Sequence, residues 1–328
     1  MKKYANMIYA GAVLAVMILL GCFMNDRAVF IVMKMMCMAL MAVSLNLQFG
    51  FGGMTNLGGG LIFSLAGYAL LVGCLRFGWP LFPSILFALV VMLIISAMLG
   101  YICLRNNMLT FTFCTMGLTM VSYTIISKIP FLGQDTGLIM TMIPEWMENL
   151  KVQYFVFLAV TVLALLVIYR FTKSPFMQIV IGARENDERL TYLGVNIRNI
   201  RLAVFIISGL FSSLAGILYA IMNSGAHITT IDPIVSIQAI LMCIIGGAST
   251  FLGPVFGAVI VTFIINAVAS ATPYFKAVLG IVTILSVYLI PNGILGKEGR
   301  IMRYLDHLVK GTPLYQEKQK TKAGGDGR

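Results

Sequence analysis

The chain has 328 residues, 59% apolar and only 11% charged, with a formal net charge of +11. A mean hydropathy of +0.95 excludes an ordinary water-soluble domain and places the chain in the membrane class. The apolar runs are too long for barrel strands, which leaves a bundle of α-helices that satisfy their own backbone polar groups.

Ten apolar runs follow one another, at roughly 7–24, 28–49, 58–75, 81–104, 108–127, 153–171, 202–222, 234–247, 254–271 and 276–292. The first ends in "LLGC" (19–22), which resembles a lipoprotein cleavage box, but the polytopic chain behind it makes it a retained span. With the N-terminus inside, seventeen Lys and Arg fall on the cytoplasmic side: Lys2, Lys3, Arg105, six between positions 170 and 201, and eight from Lys297 onward. Five fall outside (Arg27, Arg76, Lys128, Lys151 and Lys276). That imbalance predicts ten crossings with both termini cytoplasmic, and it explains the positive charge without nucleic acid. Run 234–247 is short enough to be re-entrant. If it failed to cross, however, the basic tail would lie outside, so the charge rule favours a crossing. Trp79 and Trp146 fall in predicted outer loops, as interfacial rings do. The domain reading is a transmembrane unit over 1–295, with a cytoplasmic loop at 172–201, and a basic cytoplasmic tail over 296–328. From Gly311 on, that tail has little to bury.

All twelve Asp and Glu lie outside the ten runs. This argues against an ion-coupled transporter, which generally needs intramembrane ionisable groups. Lys34 is the one charged residue in the interior of a run, Arg170 and Lys276 standing at the ends of theirs. It sits about two turns from the outer end of its helix, where a lysine can snorkel; the other reading puts it near a solute path. The six cysteines (Cys22, Cys37, Cys74, Cys103, Cys114 and Cys243) all fall in apolar runs without metal-ligand spacing, and read as buried free thiols. His227 and His307 fall on opposite sides of the predicted membrane. "GILGKEGR" lacks the upstream Gly and the following Ser or Thr of a phosphate-binding loop. No catalytic residue, metal ligand or cofactor site emerges, so energy for uphill movement has to come from another chain.

Gly50, Gly52, Gly53 and Gly58, Gly59 and Gly60 disfavour a continuous helix, since each Gly costs about 1 kcal/mol relative to Ala in a helix interior. Interrupted helices expose backbone groups beside a transport pathway; close helix packing accounts for the same glycines equally well. The pairs Gly209/Ser213, Ser212/Gly216 and Gly253/Gly257 fit small-xxx-small packing.

One stretch breaks the apolar pattern. "SPFMQIVIGARENDERLTYLGVNIRNIRL" (174–202) places seven charged residues between Arg184 and Arg201. Ser174 is a helix N-cap with Pro175 at the first helical position. In "ENDERLTYLG" a short second helix is predicted, capped by Asn186, with Asp187 and Glu188 at its positive end and Gly194 as a left-handed stop. Leu190 and Leu193, three apart, give it an apolar edge. Such a helix suits docking into a groove on another protein; a solvated loop is the plain alternative, and the residues alone leave both open.

Glu188 followed six residues later by Gly194 is similar to the "EAA" loop of ABC importer permeases, which inserts into the ATPase subunit. The wider stretch 174–220 resembles the permeases of branched-chain amino acid ABC importers, particularly the LivM type. So do "ALMAVSLNLQFGFGGMTNLGGGLIFSLAGYALLVG", "DTGLIM" and "IIGGASTFLGPVFGAVI", and together the likeness covers about residues 35–295. The resemblance implies an all-α polytopic ABC importer permease fold of about ten transmembrane helices, in the bacterial inner membrane. It implies half of a translocation path for leucine, isoleucine and valine. The implied partners are a second homologous permease subunit, two cytoplasmic ATP-binding subunits and an extracytoplasmic substrate-binding protein. Glu188, Leu190, Leu193 and Gly194 would couple to the ATPase; Asn56, Gly58, Gly59 and Lys34 are the candidate pathway residues. Where the family has Ser-Leu-Gly-His, this chain reads Asn56-Leu57-Gly58-Gly59. Urea- and amide-type permeases share the framework, so another small polar solute is the alternative.

Overall fold

A computed structural model of the chain describes residues 25–105, 107–140, 149–248 and 250–271, with Gly21 and a few positions between 277 and 294. All of the first run but Gly21, the segment holding Trp146, nearly all of the run 276–292, and the tail 296–328 with His307 lie outside the described residues.

Each of the eight middle apolar runs coincides with one helix. α1 (Asp26–Asn46) passes into a π-helical turn, Leu47–Phe51, and the chain then runs without helix to α2 (Gly59–Leu75). Then come α3 (Leu81–Cys103), α4 (Met108–Ile126) and α5 (Leu150–Thr172). A short pair, α6 (Pro175–Glu185) and α7 (Asp187–Tyr192), leads into α8 (Ile197–Met222). α9 (Pro233–Gly246) and α10 (Gly253–Ala271) close the described part. Two tiny strands, β1 (Leu138–Ile139) and β2 (Gly225–Ala226), pair antiparallel with Leu138 opposite Ala226.

Among the described residues, Asp26–Phe51, α3, α4, α5 and α8 are long and apolar enough to cross a membrane. α9, with 14 residues, is about 21 Å long, well short of a hydrocarbon core of about 30 Å. The crossing expected over 234–247 therefore meets a helix that does not span by its own length. It also starts inside the bundle, where Ser236 Oγ accepts from Gly60 N at 2.7 Å.

α1 and α8 form the centre. Every residue of α1 from Met36 to Asn46 is buried, and α8 packs on α1, α2 and α3, while α10 lies against α9 and α1. α3 buries a single stripe at helical spacing: Ser84, Ala88, Met92, Ser96, Gly100 and Cys103. Its remaining faces, with those of α4, expose Phe82, Leu86, Leu93, Met98, Leu109 and Phe113. In lipid such a surface costs nothing, since the tails are as apolar as the side chains. Backbones touch where small residues allow it: a Cβ on Gly216 would lie 1.8 Å from Phe63 O, and one on Gly257 1.8 Å from Met242 O. Cys37, Cys74, Cys103, Cys114 and Cys243 are free thiols, all buried except the half-buried Cys114. Trp79, at the α2–α3 connection, packs with Phe77 and Phe87 at 5.0 and 5.5 Å between ring centroids.

Candidate functional site

The loop 174–201 is built from local caps. Ser174 Oγ accepts from Met177 N at 3.3 Å, Asn186 Oδ1 from Arg189 N at 3.1 Å, and Asn196 Oδ1 from Asn199 N at 3.2 Å. Each satisfies an N–H group that a helix start leaves without a partner. α7 ends in a Schellman motif: Val195 N donates to Leu190 O at 3.1 Å and Gly194 N to Thr191 O at 2.9 Å. Gly194 has φ +78 and nothing within 4 Å of where a Cβ would sit, so backbone conformation rather than packing demands glycine there.

The two leucines of α7 divide. Leu190 is half-buried and folds back on α6, 3.5 Å from the Cβ position of Gly182. Leu193 is 77% exposed and Tyr192 89%. Glu188 is exposed. An ion pair that the sequence reading missed anchors the start of α7 to α8: Arg201 Nη2 donates to both Asp187 carboxylate oxygens, at 2.8 and 2.7 Å.

The interruption between α1 and α2 is held from a distance instead. Thr112 Oγ1 donates to Thr55 O at 2.9 Å, Thr115 Oγ1 accepts from Leu57 N at 3.3 Å, and Thr119 Oγ1 donates to Leu57 O at 3.5 Å. These threonines share one face of α4, three and four residues apart. Asn46 Nδ2 donates to Thr250 O at 3.0 Å, and Asn56 Oδ1 accepts from Gly58 N at 2.7 Å. At Gly50 the chain presses on the α9–α10 connection, where a Cβ would lie 1.9 Å from Ala248 O.

Asn56, Gly58 and Gly59 are thus gathered at the start of α2, and Asn56, Gly58, Leu61, Thr115 and Phe205 line a small cavity. Asn56 Nδ2 and both amide atoms of Gln48 are buried without a hydrogen-bond partner. An unmet buried polar group costs on the order of 1–3 kcal/mol. Lys34 is not brought to this cluster. It lies twelve residues before Asn46 on α1, about 18 Å along the helix, and its Nζ donates to Asn266 Oδ1 of α10 at 3.1 Å. Sequence reasoning missed Gln48, the α4 threonines, Ser236 and Asn266; only the threonines left a signal, in their helical spacing.

The loop and the interruption meet at Arg184. Its Nη1 donates to Gly50 O, and its Cγ lies 2.9 Å from the Cβ position of Gly53, which has φ +67.

Residues 27–287 match the family described as "Branched-chain amino acid transport system / permease component". Over 109 residues, 33% of its length, the chain is 33% identical to the xylose transport system permease protein XylH of Escherichia coli strain K12. The XylH proteins of Escherichia coli O6:H1 and Shigella flexneri match to the same extent. That stretch spans 28% of the length of these curated relatives. No solved structure gives a significant match to the chain.

Proposed function

This chain belongs to the family of permease components of branched-chain amino acid transport systems, and on that premise we propose that it is a LivM-type permease subunit of an ATP-binding cassette importer. It forms half of a translocation path, beside a second homologous permease subunit, in the bacterial inner membrane. Two ATP-binding subunits dock on its cytoplasmic side, and an extracytoplasmic binding protein delivers the solute. Residues 1–295 are the permease unit, with 172–201 as its coupling loop and 296–328 as a cytoplasmic tail.

The observation that carries this reading is α7, a capped helix of six residues that presents Tyr192 and Leu193 to the outside of the bundle. Leu193 fills an apolar groove on the ATPase, where burying a leucine side chain is worth about 1.5–3 kcal/mol. Glu188 faces the same partner, Leu190 seats α7 on α6, and Gly194 ends the helix. Asn56, Gly58 and Gly59 border the path, with Lys34 further along it. Leucine, isoleucine and valine are the solutes this family membership favours. The likeness to XylH favours a second reading, a pentose; urea or a short amide is a third.

Reconstituted with its co-purifying subunits in liposomes, the complex should import solute only with ATP. Competition among valine, xylose and urea then identifies the cargo. Leu193→Asp should leave membrane insertion and thermal stability unchanged, because the residue is 77% exposed, while uncoupling ATP hydrolysis from uptake. Uptake in step with hydrolysis in that variant would refute the coupling role.

A further inference from the structure

Arg184 stands in the last turn of α6, two residues before the Asn186 cap that starts α7, yet its guanidinium reaches the interrupted helix. The bond from Nη1 to Gly50 O falls in the π-helical turn Leu47–Phe51, where the regular i→i−4 ladder has been lost. Gly50 is also the contact point with the second interruption, since its Cα packs on the Ala248 carbonyl. Four residues earlier, Asn46 donates to Thr250 O in that same α9–α10 connection. One side chain from the loop therefore touches the place where the two chain breaks meet. At its other end the loop is fixed to α8 by Arg201 and Asp187, so a push on α7 has two outlets, α8 and Arg184.

We propose that Arg184 is the positioning residue that transmits movement of α7 to the paired interruptions at 47–58 and 247–252; this rests on the importer reading above. The guanidinium is suited to the task. It stays charged, offers a planar fork of donors, and packs its stem on Gly53, whereas lysine supplies only a point charge on a flexible arm.

The test uses the whole importer in liposomes, with Ala248→Cys as a reporter in a background lacking native cysteines. The Ala248 carbonyl meets Gly50 and the residue is half-buried, so a maleimide should label Ala248→Cys at different rates with and without ATP and vanadate. In Arg184→Gln the complex should assemble and hydrolyse ATP within about twofold of the parent, while uptake falls about tenfold, the size of a typical coupling between sites. The nucleotide-dependent difference in labelling should vanish with it, and Arg184→Lys should restore part of both. If Arg184→Gln disrupts assembly, Arg184→Lys carries the same two readouts, with a smaller loss of uptake per ATP expected. An unchanged ratio of hydrolysis to uptake, together with nucleotide-dependent labelling that persists in the variant, would overturn the transmission role alone. Uptake without ATP in the unsubstituted complex would overturn the importer reading and Arg184's role together.

Discussion

The loop 174–201 and the interruption 47–58 are both departures from long apolar helices, and they are held in opposite ways. Every cap in the loop closes within three residues: Ser174 to Met177, Asn186 to Arg189, Asn196 to Asn199. The interruption takes partners from Thr112 and Thr115 on α4, and the helix ends that flank it are held by Ser236 on α9, at Gly60, and by the backbone at Thr250, from Asn46. A locally satisfied segment can tilt as a unit without leaving buried groups unpaired. A segment satisfied from three directions moves only when its partners move. The difference suits the one to receive a push and the other to answer it collectively.

The comparison breaks most visibly at Gly50. Gly50→Val places side-chain carbons where Ala248 O lies, 1.9 Å from the Cβ position. Overpacking of this kind costs about 1–3 kcal/mol and occasionally more, so folding yield and melting temperature in detergent should drop sharply. Next comes Thr115→Val, nearly the same shape, which strips Leu57 N–H of its acceptor and should cost about 1–3 kcal/mol of bundle stability. Ser174→Ala, by contrast, should cost about 1 kcal/mol, felt as faster proteolysis within the loop while the melting temperature of the bundle holds. If Thr115→Val loosened only its own neighbourhood, or Ser174→Ala lowered the melting temperature of the whole, the contrast between local and distant support would fail.

The same contrast decides what could be read from the sequence. Ser174-Pro175, Asn186 and Gly194 each act through a mechanism confined to a few neighbours, and the structure has each where its residue type put it. The split between Leu190 and Leu193 was not legible, because it depends on Gly182, which makes room on α6 for one leucine and not the other. The glycines at 50–60 announced a break, but not what holds it. Thr112 and Thr115 stand 57 and 58 residues from the groups they meet, amid ordinary apolar sequence. Asn266, the partner of Lys34, is 232 residues away, so the bond that joins α1 to α10 could not be read from Lys34 alone. The shortness of α9 was plain from the length of the run 234–247. Its start inside the bundle was not, since that depends on the bond between Ser236 and Gly60.

The smallest expected effect sharpens the contrast furthest. The Arg201–Asp187 pair has one half-exposed partner, with side chains 18% and 45% exposed, and ion pairs in contact with water are worth about 0–1 kcal/mol. Asp187→Asn should therefore shift the melting temperature of the bundle by less than about 2 °C. Its consequence should be confined to α7, six residues long and too short to persist without tertiary support. Amide exchange at Leu190 and Thr191 should quicken, and raised salt should quicken it in the parent too, because screening weakens the same pair. A melting-temperature loss as large as that of Thr115→Val would mean that the loop is knitted into the bundle like the interruption, and α7 could not then move while α8 stays in place.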